Sequence, residues 1–335
     1  MTTEGATHDT PASDTLGAIA PQTERKPGRL QTKIRNGVVI TATSLILLEV
    51  ILRLMGIANP LIYEVHPNVG FRIKPNQYVS YFRNPITINS YGVRDPRPLT
   101  TRDPNKKRVL CLGDSVTWGG IYERQENLFT SVAEHRLGNV EIVNAGVNGY
   151  SVHQMIELYE NFLTELNPDL ILVCALIRDF DRPPVTKLTG SGVAFPTQEP
   201  RFAIVEALRI CQLTAYERWN WNWLEPPQAS EANWFENETY EDANLKSVIE
   251  LAKKIEGKQK LAVVFLPIEA GERTRIRAGY SRTLRNSSVK VARFTSDVGL
   301  TADDYVDGVH LSTSGHDKVG NALAALIDDE LNDRD

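Results

Sequence analysis

The stretch Arg108-Val-Leu-Cys-Leu112, running directly into Gly113-Asp114-Ser115-Val116-Thr117-Trp118-Gly119, decides the fold. A short, almost purely apolar run reads as a strand covered on both faces, and the glycines and polar residues after it mark a turn into a helix. The same pattern recurs in Val140-Glu-Ile-Val143, Leu170-Ile-Leu-Val-Cys-Ala-Leu176 and Leu261-Ala-Val-Val-Phe-Leu266. Between and after these runs, amphipathic periodicity predicts helices near 124–137, 151–166, 240–257 and 315–331.

Buried strands alternating with helices define an α/β protein: a doubly wound, flavodoxin-like parallel sheet in a three-layer αβα sandwich. In such sheets chemistry gathers beyond the carboxyl ends of the strands, so the residues after each run are the ones to inspect. After the first run, Ser115 sits on a strand-to-helix turn, exposed at the sheet edge beside backbone N–H groups that suit an oxyanion. The bland alternative makes Ser115 a helix N-cap and Asp114 a dipole partner. After the second run, Asn144-Ala-Gly-Val-Asn-Gly149-Tyr-Ser151 is a glycine-bearing loop whose amides can approach a ligand closely. After the third comes Ile177-Arg178-Asp179. Near the C-terminus, Asp307-Gly308-Val309-His310 lets a carboxylate on a tight turn reach and orient an imidazole base.

Composition narrows the alternatives. The 335 residues exceed one average domain, and 41% apolar with 24% charged residues describe a globular chain. Lys and Arg number 37 against 42 Asp and Glu, so the net charge of −5 offers no general attraction for nucleic acid. Three cysteines, Cys111, Cys174 and Cys211, two of them inside apolar runs, read as packed thiols and not as a disulfide framework. His66, His135 and His153 have no ligand-like spacing, so no metal site is expected, and the chemistry needs no cofactor. His316 falls in the first turn of the last helix and reads as a packing or capping residue.

Toward the N-terminus, residues 1–32 hold few large aliphatics and read as a disordered cytoplasmic tail. Gly37-Val-Val-Ile-Thr-Ala-Thr-Ser-Leu-Ile-Leu-Leu-Glu-Val-Ile-Leu-Arg-Leu-Met-Gly-Ile-Ala58 is long enough, at about 20 residues for 30 Å of hydrocarbon, to serve as a transmembrane signal anchor over 33–58. Glu49 and Arg53 are costly in lipid, but they stand four apart on one helical face and can pair. Arg25, Lys26, Arg29, Lys33 and Arg35 precede the span with no acidic residue among them, which keeps the N-terminus inside and puts the rest outside the cytoplasm. A cleaved signal sequence and the amphipathic helix of a soluble protein compete with this reading; the leading segment is long for a signal, and Gly56-Ile-Ala58 is a mediocre cleavage site. Residues 59–105 form a connecting segment with strands near 70–74 and 77–82 and a turn at Asn89-Ser-Tyr-Gly92. The catalytic domain occupies 106–332, with an insertion at about 180–240.

These residues carry a resemblance. The chain from roughly 107 to 332 resembles the SGNH/GDSL hydrolase superfamily, and the whole layout, with its Glu-x-x-x-Arg anchor and the Asn-Ser-Tyr-Gly-Val-Arg segment at 89–94, resembles membrane-anchored bacterial members. A Gly-Asp-Ser tripeptide alone is a weak signal, but joined to a strand-turn-helix setting and a late Asp-x-x-His it is specific. The resemblance implies Ser115 as nucleophile, His310 as general base, Asp307 as its orienting partner, and the N–H groups of Ser115 and Gly149 as part of an oxyanion hole. The third block of the family reads Gly-x-Asn-Asp, whereas here Leu176-Ile177-Arg178-Asp179 puts Arg178 where the Asn donor belongs. Its guanidinium either replaces that donor or contacts a substrate anion, or else pairs structurally with Asp179 or Asp181.

The expected activity is a serine esterase or acylhydrolase on an acyl ester, O-acetyl esters included, with an acylated glycan or lipid as the substrate. Two alternatives stand beside it: acyl transfer onto a cell-envelope polysaccharide, and an anchored binding module with a weakened site. In the insertion, Tyr216, Trp219, Trp221, Trp223, Trp234 and Phe235 either cover a core or line a cleft. The sequons at Asn237 and Asn286 are expected to stay unmodified.

Overall fold

The computed structural model describes residues 28–81, 84–187, 195–219, 230–231, 239–268, 278–287, 289–294 and 298–332. The chain divides into two compact units, 1–47 and 48–335. Residues 1–27, and the side chains of the insertion's aromatics, lie outside the described portion.

Helix α1 spans Arg29–Leu54 and buries none of its side chains. It is long and apolar enough to cross a membrane, which fits a membrane span or a signal sequence alike. It begins within the stretch expected to be tail and ends short of Ala58, because Gly56 takes the left-handed conformation (φ +84°) and its N–H bonds back to the Arg53 carbonyl. Two antiparallel hairpins follow: β1 (Tyr63–His66) with β2 (Gly70–Ile73), and β3 (Gln77–Tyr81) with β4 (Asn84–Ile88).

The central body then unfolds in order as β5 (Lys107–Gly113), α2 (Ser115–Trp118), α3 (Phe129–Leu137), β6 (Val140–Gly146), α4 (Val152–Leu158) and β7 (Leu170–Ala175). It continues with α5 (Ile177–Asp181), β8 (Val185–Lys187), α6 (Ala203–Trp219), β9 (Ser230–Glu231) and α7 (Tyr240–Ile255). It closes with β10 (Lys260–Phe265), α8 (Ala278–Asn286), β11 (Lys290–Arg293) and α9 (Thr313–Asn332). Strands β8 and β9 form a small separate pair.

Five strands make one parallel sheet in the order β11-β10-β7-β5-β6. The chain moves from β5 to one side, then returns past it to β7, so the topological switch point lies between β5 and β7. The apolar runs are continuous because both sheet faces are covered. Along β5, Leu110 and Leu112 enter one core while Val109 and Cys111 enter the other. The first core is closed by α4, α7 and the two hairpins, through Phe71, Ile73, Ile86 and Ile88; the second is closed by α3 and α9. Each fully buried aliphatic side chain contributes about 1.5–3 kcal/mol, so these two cores supply the main drive to fold.

Cys111 and Cys174 are free, buried and share the α3/α9 side of the sheet. The hydrogen bond that the Cys111 thiol donates to the Cys174 sulfur, together with burial, pushes the Cys111 thiol well above its ordinary range, so it stays protonated. Cys211 is free and exposed.

Candidate active site

The site begins with two glycines that let a helix crowd a strand end. A Cβ on Gly113 would stand 2.0 Å from Thr117 Oγ1 and 2.8 Å from the Cys174 carbonyl, and one on Gly146 would stand 2.3 Å from the Trp118 amide. With glycine at both positions, α2 drops onto the ends of β5, β6 and β7. Asp114 caps α2 by accepting the Val116 N–H at 2.9 Å. Ser115 is therefore the first helical residue rather than the cap, and its hydroxyl is left for other partners.

Those partners come from the far end of the chain. His310 Nε2 lies 2.8 Å from Ser115 Oγ, and His310 Nδ1 lies 2.7 Å from Asp307 Oδ2. The other Asp307 oxygen accepts the backbone N–H groups of His310 at 2.8 Å and Val309 at 3.2 Å. Gly308, at φ +82°, makes the turn that lets one carboxylate bond both the backbone and the ring. Burial works to raise the Asp307 pKa, but the His310 amide and imidazole outweigh it and hold the carboxyl below its ordinary value. Side-chain exposure is 54% for Asp307 and 27% for His310, so this half of the site is open to water.

The loop carrying them is fixed at its base by Asp304. This buried carboxylate accepts from Ser314 Oγ and Lys318 Nζ, each at 2.7 Å, and from the Thr301 N–H at 2.8 Å. Although burial opposes it, those donors keep the carboxyl well below the usual range. Across the loop, Tyr122 donates its hydroxyl to the Leu311 carbonyl at 3.3 Å.

The second loop is tied to the first. The Val147 N–H donates to the Gly113 carbonyl at 3.0 Å, and Asn144 Nδ2 donates to the Thr117 carbonyl at 2.7 Å. Gly149 adopts φ +78°, and a Cβ there would meet Phe195 at 3.1 Å. Phe195 in turn packs edge-on against Tyr63 and tilted against Phe71, so residues of the N-terminal hairpin wall this side of the site. Among the described residues neither the Ser115 nor the Gly149 backbone N–H has a hydrogen-bond partner.

The third loop holds the main surprise. Arg178 is exposed and forms no hydrogen bond or ion pair among the described residues, with Asp179 and Asp181 included. Four residues on, Arg182 joins all three loops. Its guanidinium donates to the Tyr150 carbonyl at 2.9 Å, lies 3.2 Å from Asp179 Oδ1 and reaches 3.9 Å from Asp114 Oδ2. The last two contacts are ion-pair distances outside hydrogen-bond geometry, and both oxygens lack any hydrogen bond. Asp179 is fully buried and accepts the Leu176 N–H at 2.8 Å. Burial first, and the neighbouring Asp114 carboxylate second, push its pKa well above the ordinary value against the pull of Arg182. Asp181 instead accepts the Tyr280 hydroxyl at 2.7 Å.

A second arginine supports the end of α2 from below. Arg94, at the end of the Asn-Ser-Tyr-Gly-Val-Arg segment, is fully buried and donates to the carbonyls of Trp118 (2.9 Å), Gly120 (2.7 Å) and Glu123 (2.6 Å). It also stacks over the Trp118 ring. Burial pulls its pKa down to about 10, which leaves it charged at neutral pH. His316 is buried, stacks on Phe129 and accepts the Phe129 N–H at 3.2 Å on Nδ1, so it caps α3. Burial lowers its pKa to about 4, and the ring is neutral.

Sequence reasoning found Ser115, Asp307 and His310, which the fold brings into one hydrogen-bonded chain, but it assigned nothing to Arg182 or Arg94. The signal for Arg182 was its place three residues after Asp179, directly past the end of one short helix; for Arg94 it was a lone charge ending an otherwise uncharged turn.

A doubly wound α/β body with a Ser–His–Asp chain at its switch point is the class of protein that fold and site define. No family model matches the chain, and no curated protein matches it. Among solved structures it is similar to a lipase/acylhydrolase from Enterococcus faecalis, at 13% identity and a TM-score of 0.40, covering 67% of this chain and 96% of that one. It is also similar to an acetylxylan esterase from Geobacillus stearothermophilus, at 15% identity and a TM-score of 0.41, covering 66% of this chain and 94% of that one. A member of the lipolytic protein G-D-S-L family from Veillonella parvula DSM 2008 matches at 14% identity and a TM-score of 0.38, covering 66% of this chain and 97% of that one. At these values the likenesses carry no argument of their own, and the reading of the site rests on its geometry.

Proposed function

We propose that this protein is a serine esterase that cleaves an acyl ester outside the cytoplasm while held to the membrane by α1. The observation that carries the reading is the unbroken hydrogen-bonded path from Ser115 Oγ through both nitrogens of His310 to Asp307. Such a path activates a hydroxyl that is otherwise a poor nucleophile. His310 Nε2 accepts the Ser115 proton as Oγ attacks the ester carbonyl, and Asp307 fixes the ring tautomer and stabilises the imidazolium. The oxyanion that forms is met by the N–H groups of Ser115 and Gly149. His310 then gives its proton to the departing alcohol, and a water molecule, activated by the same base, releases the acid from the acyl-enzyme. Arg178 supplies a further donor at the third loop, in the position where the resemblance expects an Asn side chain.

The membrane part of the proposal rests on the length and apolarity of α1 and the basic residues before it. For the chemistry, a fluorophosphonate probe on intact membranes is expected to label Ser115 in the full chain. Replacement of that residue, Ser115→Ala, is expected to lower hydrolysis of p-nitrophenyl butyrate by roughly 10⁶-fold. Full activity in this variant would overturn the mechanism. Product analysis with an added oligosaccharide separates hydrolysis, which yields free acid, from transfer, which yields acylated sugar.

A further inference from the structure

We infer that α6 is a second membrane contact, a helix lying at the boundary between headgroups and acyl chains of the bilayer that receives α1. The inference rests on the reading of α1 as a retained anchor.

Helix α6 is built inside out. Among its described side chains the buried ones are Ala203, Glu206 and Ala215, while Val205, Leu208 and Ile210 are exposed, as is Phe202 immediately before it. Leu208 is 64% exposed, whereas Glu206 is only 5% exposed and pairs with Arg209 at 3.5 Å. A helix packed on a soluble core does the reverse, burying its large aliphatics and showing its carboxylates. Among the described residues beyond residue 55, the other exposed large apolar ones are Val65, Tyr78, Ile121, Tyr122 and Val306, spread over different elements. Phe202, Val205 and Leu208 instead follow one another at intervals of three, forming a continuous stripe of the kind that marks an interaction surface.

The position of the α6 N-terminus selects the occupant. Glu49 accepts the N–H groups of Ala203 at 2.9 Å and Ile204 at 3.0 Å, so it caps α6. Arg53 pairs with Glu49 at 2.7 Å and donates to the Arg201 carbonyl at 2.7 Å. Glu49 and Arg53 lie in the last two turns of the apolar helix. If α1 spans a bilayer, the edge of that bilayer falls within a turn or two of these residues, and α6 starts there. An apolar stripe beginning at that edge meets lipid, and the exposed Arg201 and the partly exposed Arg209 suit the headgroup layer. The charge pair within the span is thereby accounted for: it is the joint between anchor and interfacial helix.

The test uses the full chain, because the structure supplies its own probe position. Cys111 and Cys174 are buried and Cys211, on α6, is exposed, so a bimane thiol reagent labels position 211. In phosphatidylcholine vesicles, lipid brominated on its acyl chains is expected to quench that probe, removing about half of its emission. Two comparison chains carry Cys211→Ser with either Ile46→Cys in α1 or Val65→Cys on the body; the first is expected to be quenched and the second not. Quenching at 46 without quenching at 211 overturns the inference and leaves the anchor intact. Absence of quenching at both overturns the anchor reading and this inference together. A Cys211 cross-link between copies with no quenching assigns the stripe to a second copy of the chain and also overturns it.

Discussion

Ser115 and His310 meet at 2.8 Å from supports of opposite kinds. Beneath the serine lie Asp114, Asp179 and Arg94, each at most 1% exposed, with Arg182 joining three loops above them. Beneath the histidine is a tight turn whose aspartate is more than half exposed and bonds within the turn, on a loop whose base is fixed by buried Asp304. Buried charges are costly to take out of water, so the serine side is held by groups that must all be satisfied together. The Asp307–His310 pair itself is held by the turn and a few bonds in contact with solvent, each of modest energy. The difference teaches that damage to the two sides registers differently: in turnover alone on the histidine side, and in the folded state itself on the serine side.

The largest expected effect tests the exposed side. Asp307→Asn keeps the shape but favours the wrong tautomer of His310, and kcat on p-nitrophenyl butyrate is expected to fall by about 10⁴-fold. Its melting temperature is expected to stay close to that of the parent, since the pair is exposed. The buried side is tested by Arg182→Met, which strands two carboxylates in a dry site and is expected to cost about 3–5 kcal/mol in denaturant unfolding. Adding Asp179→Asn to it is expected to return part of that loss. If Asp307→Asn unfolds the protein while Arg182→Met does not, the contrast is reversed.

Smaller effects sharpen the picture. As an oxyanion donor, Arg178 is expected to lower kcat by about 100- to 1000-fold when replaced by Ala, with unfolding unchanged; an unaltered kcat would reduce it to a surface charge. The pH dependence of stability is expected to come partly from His316. Its pKa is depressed in the folded state to about 4 from 6.5, so its contribution is present above about 6.5 and is lost as pH falls toward 4. That contribution is worth up to about 3 kcal/mol, and His316→Gln is expected to flatten this part of a urea-midpoint against pH curve. The Asp179 carboxyl has the opposite sign: its raised pKa favours the fold at low pH and weakens it as pH rises above the ordinary carboxylate range.

How much of this could be read from the chain depended on whether the governing contact is local. Strands β5, β6, β7 and β10 were legible because each is covered on both faces and needs an uninterrupted apolar run. The edge strand β11, Lys290–Arg293, was missed: its apolar part is only Val291 and Ala292 between two charged residues, too short to read as a covered run. The helix expected over 151–166 stops at Leu158, where a wide turn over Tyr159–Leu163 and a tight one over Thr164–Leu166 take over. Periodicity does not distinguish these from a regular helix. Ser115, Asp307 and His310 were visible because glycine-flanked turns and a short Asp-to-His spacing are written in consecutive residues. Arg182 was not, since its three partners come from three separate loops. Arg178 drew notice by standing where another residue was expected, while the structural work on that helix falls to its neighbour one turn later.

The joint between Glu49 and α6 also imposes an order in time. The amide that Glu49 accepts lies 154 residues further along the chain. At ordinary rates of protein synthesis that amide is made about 8–30 s after Glu49 itself. The end of the first helix therefore acquires its final set of bonds only after much of the chain that follows has been produced.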